Sequence, residues 1–355
     1  MKNWILVLTS VGLLVSCSSS SVEESTNEGT TSPEINSQWS IPVAEVLDGG
    51  PGRDGIPALE NPNFTTALGV DFLGDDDLII GFKNGEDVRG YPHIILNWHE
   101  IINDNIGDAS LAITYCPLTG TGIGWGRVIN GRETTFGVSG LLYNTNLIPF
   151  DRETLSNWSQ ILNESVNGVL TGQKASLSML FETDWKTWKQ MYPNSQVVNL
   201  QTGFSRTYEF SPYGNYSSDN NLFLFPVSKK DTRLPSKERV LAITNDGDAK
   251  AYRFGSFQNQ NIIKDAFKGR NYLIVGNQNF MVAFEPKNEH STLEFTYVFN
   301  GESDVLIEDN EGGQWDIFGY AVSGPRMGER LATPASFMAY WFSIPAFYQT
   351  AIYLN

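Results

Sequence analysis

The chain has 355 residues and carries 24 Lys and Arg against 40 Asp and Glu, a formal net charge of −16. Hydrophobic residues make up 41% and aromatics 12%, which suits a large folded core and excludes wholesale disorder. The acidic balance, with no basic stretch to offset it, excludes a general binder of nucleic-acid backbones. Only 3 His and 2 Cys are present, too few for a disulfide framework and little for a structural zinc site.

The first element is an address. After Met1-Lys2-Asn3, the run from Trp4 to Val15 is apolar but short for a membrane span. Leu14-Val15-Ser16-Cys17 then reads as a lipobox, so residues 1–16 resemble a bacterial lipoprotein signal peptide. Cys17 is the expected lipidation site, and acyl chains such as palmitate on it would hold the chain at a membrane surface. Residues 17–43 are read as the lipidated Cys followed by a polar tether. Ser18, with Glu23 and Glu24 close behind, points to the outer membrane of a cell envelope.

The remainder reads as α+β, mainly antiparallel strands with few short helices, built as two pseudo-symmetric halves. A constant offset of 161 aligns the segment from Leu78 with the segment from Arg239 without gaps. It pairs Tyr91 with Tyr252, Asp104 with Asp265 and Arg89 with Lys250. Further on, Asp151…Trp158 matches Asp309…Trp315, and Gly168…Gly172 matches Gly324…Gly328. An internal duplication gives a first half with its lead-in over 44–200, a connecting region over 201–237 and a second half over 238–355.

Within the first half, Leu78–Phe82 and Val88–Ile95 read as a hairpin across Asn84-Gly85. A helical turn is expected over Trp98–Asn103, then a strand over Ala109–Cys116. Trp125–Ile129 and Thr134–Val138 turn at Asn130-Gly131, and a third hairpin turns at Asp151–Thr154. Residues 182–192 form the best helix, with Trp185 and Trp188 on one face and Pro193 beyond. The run FMAYWFSIPAFYQTAIY near the C-terminus reads as a buried helix and a final strand rather than a membrane span.

The duplication isolates candidate chemistry. His99, Glu100 and Cys116 meet Gln260, Asn261 and Asn277 in the second half, so the first half alone holds an ionisable set. His93 is read as a strand-surface residue, and Asp104 with Asp108 as part of a turn. Three readings of the set stay open. A thiolate and an imidazole, Cys116 and His99, suit copper(I) or zinc. Alternatively Cys116 is a nucleophile with His99 as base and Glu100 or Asp104 orienting the ring, although Pro117 lacks the N–H that would serve an oxyanion hole. In the third, both residues are buried structural groups.

GGPGRDGIPAL (49–59), GYPHIILNWHEIIND (90–104), TYCPL (114–118), SGLLYNTN (139–146) and FDRETLSNWSQ (150–160) resemble a bacterial envelope family, domain-of-unknown-function family 3179. The resemblance spans roughly residues 44–354 and carries no activity with it. That family commonly shows Cys-Pro-Leu-Cys, where this chain has Cys116-Pro117-Leu118-Thr119, so dithiol chemistry is in doubt. The expectation is a lipid-anchored envelope binding module, with a small-ligand or soft-metal site near Cys116 and His99. A Cys–His hydrolase or transferase is the alternative.

Overall fold

The computed structural model describes residues 38–353, so Cys17 and the signal segment lie outside the described residues. Folded structure begins earlier than the expected end of the tether. Ser40 donates its backbone N–H to the Val166 carbonyl, and Ile41 packs with Ile148 and Val166.

Strands dominate, and nearly all pair antiparallel. Among the described residues three short α-helices accompany them: α1 (His93–His99), α2 (Trp185–Met191) and α3 (Ser343–Phe347). Among the described residues, no helix is long and apolar enough to cross a membrane.

Two sheets share one connectivity. In the first, Leu78–Asn84 and Asp87–Pro92 form a hairpin; Phe181–Asp184 pairs antiparallel with its first strand and Gln196–Val198 parallel with its second, α2 lying between those two partners in sequence. In the second, the hairpin is Arg239–Asn245 with Asp248–Arg253, flanked by Ser336–Tyr340 and Gln349–Ile352, with α3 between. Each is followed by a three-stranded meander, Ile101–Ile106/Ala109–Cys116/Thr121–Gly126 and Ile262–Phe267/Arg270–Gly276/Met281–Phe284. Side chains repeat as well. Tyr91 donates to Asp104 at 2.7 Å and Tyr252 to Asp265 at 2.9 Å. The Trp158 indole donates to Asp151 at 3.0 Å and the Trp315 indole to Asp309 at 2.8 Å.

Four details differ from the sequence reading. The helix lies at His93–His99, not Trp98–Asn103: Pro92 fixes the entry (φ −66°) and Glu100, at φ 56°, ends it, after which β-branched Ile101-Ile102 open a strand. His93 is therefore buried rather than on a strand surface, 4.4 Å from the Tyr115 ring. Asp104 is no turn residue but a buried strand carboxylate held by Arg89 and Tyr91. The C-terminal run opens as the strand Ser336–Tyr340 before α3 and the final strand.

Helix α2 shows how local chemistry sets packing. The Asp184 side chain caps it by accepting from the Thr187 N–H at 2.6 Å. Trp185, Trp188 and Met191 then fall on one buried stripe. Trp188 lies so close to the sheet that a Cβ on Gly81 would run into its ring. This core also takes Phe280, Trp315 and Phe318 from the second half. A second core joins Cys116, Trp125 and Trp158 to Val240, Phe337 and Trp341. Lys83–Asp316 and Arg239–Glu182 ion pairs cross the same boundary.

Candidate functional site

Cys116 ends its strand opposite Thr121, and the chain turns through Pro117 to Gly120. Gly120 is required there: its φ is 60°, and a Cβ would meet the Tyr340 ring at 2.9 Å. The turn sets Thr119 beside the Cys116 sulfur, whose thiol donates to the Thr145 carbonyl at 3.7 Å and accepts from the Leu147 N–H at 3.4 Å. Burial, reinforced by Glu100, pushes the thiol up to about 11, against the pull of Thr119 and Leu147. Cys116 is 1% exposed.

His99, at the end of α1, is fully buried with both nitrogens engaged. Nδ1 lies 2.7 Å from the Pro57 carbonyl and Nε2 2.7 Å from the Tyr208 hydroxyl. A carbonyl only accepts, so Nδ1 carries the proton and Nε2 accepts from Tyr208. Burial holds the imidazole below its ordinary pKa. Glu100 is buried beside it in sequence but points to other company: Tyr213 donates to Oε1 at 2.9 Å. Burial raises this carboxyl to about 7, partly countered by the Tyr213 hydrogen bond.

His99 is therefore not a hydrogen-bond partner of Cys116, and Glu100 does not orient its ring. The Nε2 lone pair is taken up by the Tyr208 hydroxyl, and burial holds the sulfur as a thiol. Among the described residues, the grouping of three potential metal ligands is instead Glu289, His290 and Glu329, where Arg326 already occupies Glu329 at 3.3 Å.

The groups that sequence reading missed come from the connecting region. No helix or strand lies between Val198 and Arg239, yet this stretch is a packed strap rather than a loose linker. It brings Tyr208 to His99 and Tyr213 to Glu100. Tyr216, 1% exposed, enters the same core as Cys116. Further ties run from the Trp98 indole to the Phe210 carbonyl, from Thr145 to the Phe225 carbonyl, and from the Trp341 indole to the Asp231 carbonyl. The missed signal was aromatic density: Phe204, Tyr208, Phe210, Tyr213 and Tyr216 crowd one short polar segment.

Lys237 closes the strap. Its ammonium lies 3.1 Å from the Tyr216 ring centroid, with Phe342 at 4.8 Å, Phe223 at 5.1 Å and Tyr340 at 5.5 Å. It is 6% exposed, and neither Lys237 Nζ nor the Tyr216 hydroxyl has a hydrogen-bond partner. Burial lowers the amine to about 7, with Asp219 and Cys116 opposing. Elsewhere along the strap, a cavity of about 70 Å³ is lined by Glu100, Leu118, Leu147, Tyr213 and Phe225. The strap thus covers a neutral thiol, a carboxyl raised to about 7, and two donors without a hydrogen-bond partner, the Tyr216 hydroxyl and the Lys237 amine lowered to about 7.

A family model described as "Protein of unknown function (DUF3179)" matches residues 53–351. No curated protein and no solved structure matches the chain.

Proposed function

The chain belongs to the DUF3179 family, whose function is unknown, and from that premise we propose that it is a small-molecule-binding protein held at the cell envelope by lipid on Cys17. The anchor rests on the Leu14–Cys17 lipobox and the polar stretch behind it. The ligand site lies beneath the strap. One observation carries this reading: Lys237 Nζ and the Tyr216 hydroxyl are both buried and both lack an acceptor. Unpaired buried donors are costly, and an acceptor oxygen would satisfy them. The ligand class is accordingly a small carboxylate or carbonyl compound. The internal duplication is part of the proposal, supported by the connectivity common to the two hairpin-centred sheets. In this reading the second half is scaffold, and the first half with the strap holds the ligand.

The test is thermal denaturation at about pH 6 of the full chain with acetate, pyruvate and succinate. A rise in midpoint with at least one of them is expected, lost in Lys237→Met and weaker at about pH 8.5, where the amine is neutral. No shift with any of the three, or a shift that Lys237→Met retains, overturns the assignment.

A further inference from the structure

A second site lies at another stretch of the strap, in the cavity of about 70 Å³ that Glu100 lines. Neither Lys237 nor Tyr216 lines this cavity, so it stands or falls apart from the site proposed above. Its wall is apolar: Leu118, Leu142 and Leu147 belong to the core that holds Cys116. Two aromatic side chains, Tyr213 and Phe225, join them from the strap. Glu100 is the one carboxyl among the lining residues.

That carboxyl is 6% exposed and only half used. Oε1 accepts from Tyr213. Oε2 takes no hydrogen bond, yet it is not one of the unpartnered polar atoms sealed from solvent, so it opens onto the cavity. Among the described residues, no Lys, Arg or His is paired with it. The ionisable groups whose charge reaches Glu100 are Cys116, on the neighbouring strand, and Tyr213, on the strap; burial raises both, so both are neutral near pH 7. His99, its neighbour in sequence, is turned to Pro57 and Tyr208. The cavity thus holds an acceptor without a counter-ion, which is why burial can raise the carboxyl to about 7.

The missing partner is a cation. We propose that the cavity binds a small primary amine as its ammonium ion, the charge on Glu100 Oε2 beside Tyr213 and Phe225, the alkyl group among the leucines. Aromatic rings attract cations over their faces, more strongly where water is excluded. The net charge of −16 also favours the approach of a cation. A dry cavity of about 150 Å³ accommodates benzene, so this one takes roughly three heavy atoms, the size of ethylamine. Binding the ammonium ionises Glu100, so uptake below pH 7 releases the carboxyl proton to solvent.

The test follows the Glu100 carboxyl by nuclear magnetic resonance, in the full chain made with glutamate carrying ¹³C at the side-chain carboxyl. At about pH 6 a glutamate of ordinary value 4.5 is ionised while Glu100 holds its proton, so its signal stands apart, and Glu100→Gln identifies it by removing it. Ethylammonium chloride is expected to move that signal to the ionised position. At about ten times its half-saturating concentration it should lower the Glu100 titration midpoint by about one pH unit. Sodium chloride at the same concentration, and ethanol as the neutral counterpart, should leave the signal in place. Ile56→Trp, which fills the cavity from a half-buried position on its wall, should abolish the ethylammonium effect. The comparison of the three solutes needs no variant and decides the matter if Ile56→Trp does not fold. A carboxyl that ethylammonium leaves protonated, an equal response to sodium or ethanol, or a response retained in Ile56→Trp would each overturn the site.

Discussion

Glu100 is a residue whose protonation the fold controls. Its carboxyl keeps its proton to about pH 7 in the folded chain, against an ordinary value of 4.5. Between those values the folded state binds more protons than the unfolded state, so this group's contribution is fully present below 4.5, falls as pH rises, and levels off above 7. The window corresponds to roughly 3 kcal/mol. Glu100→Gln stays neutral and should lose the slope, so urea midpoints of variant and parent should diverge from about pH 5 to about pH 8 in favour of the variant. Equal divergence at both pH values would show that Glu100 is ionised in the folded state throughout. His99 titrates with the opposite sign, because burial lowers its pKa, but it is present in both proteins and cancels. The three ionisable residues of the first half were legible because the second half lacks them. Their partners were not: Tyr208 meets His99 across 109 positions and Tyr213 meets Glu100 across 113, distances over which no periodicity operates.

Elements were legible where a local rule fixes them. Asn84-Gly85 forced the first hairpin, and Gly85 adopts φ 58°. Asp184 capped α2, and the Trp185/Trp188 spacing named its buried face. The misplacement of α1 has a physical reason: Ile94, Ile95, Ile101 and Ile102 suit strand and buried helix equally, and the decision fell to Pro92 and the left-handed Glu100. The strap escaped because it obeys neither period. The α2 seat gives a prediction at this scale. Gly81→Ala would push a Cβ into the Trp188 ring, whereas Gly255→Ala meets nothing within 4 Å. Chemical denaturation should show the first variant about 1–3 kcal/mol less stable and the second close to the parent. A neutral Gly81→Ala would mean that α2 is free to move off the sheet.

At the scale of the whole molecule, the two sequence halves are not two folding units. Each large core takes residues from both, and ion pairs such as Lys83–Asp316, 2.6 Å apart, cross the boundary. Tryptophan emission reports both sides, because Trp125, Trp158, Trp185 and Trp188 are buried in the first half and Trp315 and Trp341 in the second. Emission and far-ultraviolet circular dichroism should therefore fall together in one denaturant transition. Two separated transitions would show that the halves hold themselves up independently. The shared interior was not legible in the sequence, since amphipathic strands show which face is apolar and not whose apolar face it meets.

The strap also has a bearing on how the chain assembles. Its ties run to Trp98 and Thr145 on one side and to Trp341 on the other, so it cannot settle until those partners have met. Closing so long an irregular segment earlier would spend loop entropy without the contacts that reward it. In an assembly of that order the tyrosines would be the last pieces seated. A molecule in which that segment had yet to settle would lack the Tyr213 cover on Glu100 and the Tyr216 cover on Lys237.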